Sequence, residues 1–175
     1  MKINYLIFVL IIALMCVSFS SMFDFIKPYK YMVSPKISGV ILKQGRPVKN
    51  IEISLVAGFS KYHEKVTKTD ERGRFYFDEI YHHQWFKIFS LNTNLTAIRL
   101  VAHFNQNEVL LWSSHSGVHL HDYVTDNLAE LECDLDDEDS EFHFKNRVTP
   151  DGRPHIVFGI CRLRGFENKE LRSID

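Results

Sequence analysis

Beyond an apolar N-terminal run, hydrophobic and polar positions alternate in short stretches bounded by turn residues. No long segment repeats its apolar positions at i, i+3, i+4 and i+7, so the pattern predicts strands rather than helices. In "KISGVILKQG", Ile37, Gly39 and Ile41 share one side and Val40 and Leu42 the other, and the run stops at Gln44-Gly45. Pro47 cannot donate to a ladder, which makes "RPVKN" a connection or an edge. "NIEISLVAG" then places Ile51, Ile53, Leu55 and Ala57 on one face, and "YHEKVTKT" reads as a polar strand with one face in water. In "TKTDERGRFYF", Asp70 and Gly73 bracket a hairpin connection, after which Phe75 and Phe77 point to a common face.

Later runs continue the series. "TAIRLVAHF" and "EVLLWSSH" read as a second hairpin about "NQN", and "LAELECDL", "EFHFK" and "HIVFGICRLRGF" complete it. "DLDDEDSE" and "NRVTPDGRP" read as solvated loops, and only "DYVTDNLAEL" offers a brief helix. Many short strands separated by turn signals predict an all-β chain forming a single antiparallel β-sandwich. The expected boundaries are a leader at 1–20, a lead-in at 21–35, the sandwich at 36–166 and a tail at 167–175.

The leader changes the expected compartment. Lys2 precedes "YLIFVLIIALMCVSF", an apolar run better matched to a signal peptide than to a membrane span of roughly 20 residues. Ser18 and Ser20 supply small residues for cleavage before Ser21. The competing reading is an uncleaved anchor, with residues 4–20 in the membrane and Lys27 and Lys30 at its edge. Cys16 falls where a lipobox would end, but Leu14 and Met15 occupy positions that favour small residues. Met22 offers an alternative start that would remove the leader and leave the protein in the cytoplasm.

Composition adds bounds. The 175 residues are 45% hydrophobic and 25% charged, the balance of a folded globular chain. A formal net charge of -1 gives no reason to expect a nucleic-acid partner. Past the leader two cysteines remain, Cys133 and Cys161. In an oxidising compartment they are a disulfide candidate contributing roughly 3 kcal/mol; otherwise they are two buried thiols.

Four groups of side chains carry candidate chemistry. In "HSGVHLHD", an extended backbone would put His119 and His121 on one face with His115 approaching from the preceding turn, a spacing able to hold Zn or Cu. His82 or His83 are distant recruits, and Asp122 is an outer acceptor; the alternative is a His-rich surface loop. The acidic run from Asp134 to Glu141 lacks the central glycine of a calcium loop and reads as solvated. Ser113, Ser114 and Ser116 lie near His115 without a nucleophile elbow or an orienting acid. Tyr81, His82, His83 and Trp85 form a candidate exposed recognition patch, the alternative being that Trp85, Phe86 and Phe89 fill the core. "NLT" at Asn94 matches a glycosylation sequon.

Residues Gly39, Gly45, Pro47, Val48, Ile53, Leu55, Thr69, Asp70, Gly73, Phe75 and Phe77 follow the order strand, Gly-x-Pro-Val, strand, Thr-Asp-x-x-Gly-x-Phe. Over residues 36–80 the chain thereby resembles the transthyretin-like or carboxypeptidase-regulatory-like β-sandwich. "MFDFIKPYKYMVSPKISGVILKQGRPV", with "CDL" at Cys133 and "GICRL" at Gly159, resembles a family of small bacterial proteins carrying a domain of unknown function. That likeness comes with no assigned chemistry, so it carries over no catalytic residues. The combined expectation is an exported, non-enzymatic module of the bacterial envelope that binds another protein, as an immunity or accessory protein. The alternative is a periplasmic Zn- or Cu-binding protein.

Overall fold

The computed structural model describes residues 28–85, 95–149 and 151–172. The leader, Met22, Phe86, Phe89 and Asn94, and the expectations attached to them, lie outside the described residues. Along the described chain run β1 (Tyr29–Ser34), β2 (Ile37–Lys43), β3 (Arg46–Pro47), β4 (Glu52–Gly58), β5 (Tyr62–Lys68), β6 (Arg74–Phe77), β7 (Ile80–Gln84), β8 (Thr96–Phe104) and β9 (Asn107–Ser116). A short helix, α1 (Asp122–Leu128), precedes β10 (Leu131–Asp134), β11 (Ser140–Phe144), β12 (His155–Gly159) and β13 (Asn168–Leu171). The chain divides into two compact units, one of residues 1–30 and 83–89 and the other of residues 31–82 and 90–175. The second unit holds the two large sheets.

The fold is an all-β sandwich. Its larger sheet has seven strands in the order β13-β11-β12-β9-β8-β4-β5; its smaller sheet joins β10, β2 and β3, with β6 also pairing β2. β1 and β7 form a separate two-stranded sheet. The alternation read from the sequence sets the register: Ile53 faces Ala102, Leu55 faces Leu100 and Ala57 faces Ile98, and all six are buried. From the smaller sheet Ile37, Ile41, Phe75, Phe77 and Leu131 join the same apolar cluster as Ile53, Leu100, Trp112 and Phe142. Each leucine, isoleucine or phenylalanine among them contributes roughly 1.5–3 kcal/mol by leaving water.

Two turns follow the expected chemistry. β8 and β9 are joined by Asn105 and Gln106, both with positive φ (50° and 67°), the twist that lets a two-residue loop close a hairpin. Gln44 and Gly45 do the same between β2 and β3.

The Asp70–Gly73 turn departs from expectation. β5 pairs with β4 in the larger sheet, whereas β6 pairs with β2 in the smaller one, so the turn carries the chain across the sandwich rather than closing a hairpin. Asp70 holds it by accepting the N–H groups of Arg72 and Arg74, each at 2.8 Å. Gly73 has φ +71°, and a Cβ there would stand 2.6 Å from the Ile41 carbonyl oxygen. The sandwich is also not wholly antiparallel: β10 runs parallel to β2, with Leu131 opposite Gly39 and Cys133 opposite Ile41. Such a pair needs a long crossover, and the chain between β2 and β10, ending in α1, supplies it. Strand structure extends into both flanking segments, β1 into the lead-in and β13 into the tail.

The Sγ atoms of Cys133 and Cys161 are at disulfide distance, with their Cα atoms 4.1 Å apart. Both residues are buried. The pair ties β10 to the segment that follows β12.

Candidate functional site

That segment, α1 and two strand ends of the larger sheet enclose a cleft of about 520 Å³. α1 enters it on its Tyr123 side because Val124 and Leu128 turn into the core. The carbonyl of His121 begins the helix by accepting the N–H of Val124 at 2.9 Å, while its imidazole makes no capping bond. β11 and β12 bring Phe144 and His155 directly opposite one another. Phe144 and Tyr123 stack with centroids 4.5 Å apart and planes 18° from parallel. His155 lies 5.4 Å from Tyr123 and 4.2 Å from His121. Four rings from three elements therefore form one wall.

Burial disfavours charge at the centre of that wall. It pushes the Tyr123 phenol up to about 12. Burial first, and then the neighbouring His121, hold His155 below the ordinary imidazole value. Tyr123 Oη and His155 Nε2 are buried and have no hydrogen-bond partner among the described residues. Around the mouth stand Asp122, Asp126, Lys145 and Arg147, all exposed. Arg164, also at the mouth, pairs with Glu130 at 3.6 Å.

Two polar clamps hold the frame. Asn127, buried on α1, bonds to both backbone groups of Arg164. Asn146 organises the β11–β12 loop, its Oδ1 accepting the N–H groups of Val148 and Thr149 and its Nδ2 donating to the Arg153 carbonyl.

The expected histidine site is not assembled. His119 lies in an exposed bend rather than an extended run, His115 is exposed on β9, and His121 belongs to the ring wall. Among the described residues no group of three or more His, Cys, Asp or Glu is placed to hold a metal ion. His82 instead packs on Phe59 and His63, with centroids 4.8 and 5.9 Å away.

The aromatic patch is likewise not a loop. Tyr81, His82 and His83 belong to β7, and the four patch residues are divided between the two units. Trp85 is 62% exposed, so it does not fill the core.

Strand geometry separates two of the three serines from His115, while Ser113 shares its face. Along β9, Ser114 and Ser116 point inward and His115 outward. The Ser114 hydroxyl accepts the Trp112 indole N–H at 2.8 Å. The acidic run is partly neutralised: Asp136 meets Lys43, Asp137 meets Arg162 and Asp139 meets Arg172. Sequence reading missed Tyr123, Phe144 and His155 as a set. The available signal was the short helical segment containing Tyr123; nothing local ties it to strands that come later in the chain.

No curated protein and no solved structure matches the chain. A family pattern does match residues 37–138, more than half of its length, and the chain belongs to that family, defined by a domain of unknown function (DUF6795).

Proposed function

We propose that the protein is an exported, non-enzymatic binding module that recognises another protein through the loops around this cleft, acting in the bacterial envelope as an immunity or accessory protein. The observation that carries the reading is the Cys133–Cys161 pair, buried and at disulfide distance. Such bridges persist in oxidising compartments, and this one pins the backbone that closes one side of the cleft. Ser114 and Ser116 face away from His115, and Ser113, which shares its face, has no acid beside it in sequence to orient a base, which supports binding over serine hydrolysis. At the mouth, Val148 is 75% exposed on a loop held by Asn146, an apolar side chain on backbone ordered before any partner arrives.

The test is cell fractionation with intact mass measured before and after reduction, followed by capture of partners on the wild type and on Val148→Asp. Periplasmic protein beginning near Ser21, lighter than its reduced form by the hydrogens of two thiols, is the expected result. A stoichiometric protein partner lost in Val148→Asp completes it. Cytosolic protein beginning at Met22 with both thiols free would sink the reading.

A further inference from the structure

We propose that the cleft bounded by His121, Tyr123, Phe144 and His155 is a saccharide-binding site, taking a neutral sugar ring against the aromatic wall. The inference rests on the reading of this end as the recognition surface and goes beyond it by assigning a ligand class.

At about 520 Å³ the cleft lies within the roughly 300–1,000 Å³ range of small-ligand sites. It is also preorganised, because the bonds between Asn127 and Arg164 and the nearby Cys133–Cys161 pair hold its walls before any ligand arrives.

Charge narrows the class. Asp122, Asp126, Lys145 and Arg147 all line the cleft, and none of the four is in an ion pair among the described residues. Arg164 is balanced by Glu130. Two anions against two cations give no net attraction to a phosphate, a carboxylate or a cation. They do supply charged acceptors and charged donors together, which suits a ligand whose groups both donate and accept. Hydroxyls do both; a purely anionic or purely apolar ligand does not.

Shape agrees. His121 and Tyr123 are nearly parallel, 14° apart, and His155 is tilted from them by 37° and 25°. Phe144 is buried against Tyr123, so the surface offered to the C–H face of a pyranose, which presents apolar surface on one side and hydroxyls around its edge, is that of the nearly parallel His121 and Tyr123. The mouth residues then meet the edge.

The test uses the protein as recovered from its host cells, labelled with ¹⁵N, and follows its amide spectrum during separate titrations with maltose, cellobiose and N,N′-diacetylchitobiose. Benzoate serves as an anionic aromatic control. The expected result is a saturable response to at least one disaccharide at the amides of His121, Tyr123, Phe144 and His155, with little response to benzoate. Asp126→Ala and Arg147→Ala should each weaken that binding by roughly tenfold or more, the loss expected for a charge-assisted hydrogen bond. Both side chains are exposed, so a well-dispersed spectrum will show that the variants remain folded. No saturable response to any of the three sugars, a stronger response to benzoate, or binding unchanged in both variants would each overturn the assignment. Fractionation and partner capture are independent of these titrations, so a failed saccharide assignment is distinguishable from a failed export and binding reading.

Discussion

Asn127 and Arg164 exchange two hydrogen bonds: the Asn127 amide donates to the Arg164 carbonyl at 3.1 Å, and the Arg164 N–H donates to Asn127 Oδ1 at 2.7 Å. The side chain thus imitates a backbone partner for a segment that belongs to no strand. Asn127→Ala removes both bonds and strands polar groups near a buried site, so it should destabilise the fold by about 1–3 kcal/mol. Urea unfolding checks this. Asn127→Asp keeps the acceptor and loses the donor, and should fall between the wild type and the alanine variant.

Trp112 is fully buried, and its indole N–H is satisfied by the Ser114 hydroxyl. Ser114→Ala leaves that donor unpaired, which should cost about 1–3 kcal/mol in thermal or urea unfolding while leaving partner binding intact in the remaining folded protein. A nucleophilic role would show the opposite pattern, lost function at unchanged stability.

Bridging Cys133 to Cys161 ties the parallel strand β10 to the segment beside the cleft. Replacing both by serine should lower unfolding free energy by about 2–5 kcal/mol, the range for removal of a native bridge. The replacement also puts hydroxyls in a buried site, so reduction of the wild type is the cleaner comparison. Equal stability before and after reduction would show that the bridge is not a structural element.

Asp134 is a pH-sensitive clamp on the β2–β3 turn. Its carboxylate accepts the N–H of Gly45 at 2.7 Å and that of Gln44 at 3.0 Å. The Gly45 bond most of all, against the opposing effect of burial and aided by Asp136, Gln44 and the Arg162 guanidinium, holds Asp134 below its ordinary value of 3.8. A folded-state pKa below the unfolded one stabilises above the unfolded value, and that contribution is lost as pH falls through the folded one. The stability penalty of Asp134→Asn should therefore be largest near neutral pH and shrink below about pH 4. A penalty constant from pH 6 to the acid limit would contradict this account; denaturant titrations at stepped pH measure it.

Gly39 lies between β6 and β10 in the smaller sheet, and a Cβ there would be 2.7 Å from the Leu131 carbonyl oxygen and 2.9 Å from the Phe75 ring. Gly39→Ala should cost about 1–3 kcal/mol through forced displacement of both neighbours, read as a lowered urea midpoint at unchanged slope.

Local alternation and turn chemistry were enough to determine the class of fold. The faces of β4 and β8, the Asn105-Gln106 hairpin and the brief helix at Asp122–Leu128 follow from residues close in sequence, because side-chain period and φ preference are local properties. Partnership between strands is a different matter. Nothing in "TKTDERGRFYF" distinguishes a hairpin from a crossing between sheets, since the same Asp70 and Gly73 geometry serves either; the choice belongs to β2 and β4, which compete for the two arms. The parallel β10–β2 pairing is equally nonlocal. So is the ring wall, whose Tyr123, Phe144 and His155 carry no common motif and meet only because α1 caps the facing ends of β11 and β12. The histidines that stood together in sequence were separated for the converse reason: a bend at His119 and the start of α1 at His121 turn neighbouring residues in different directions.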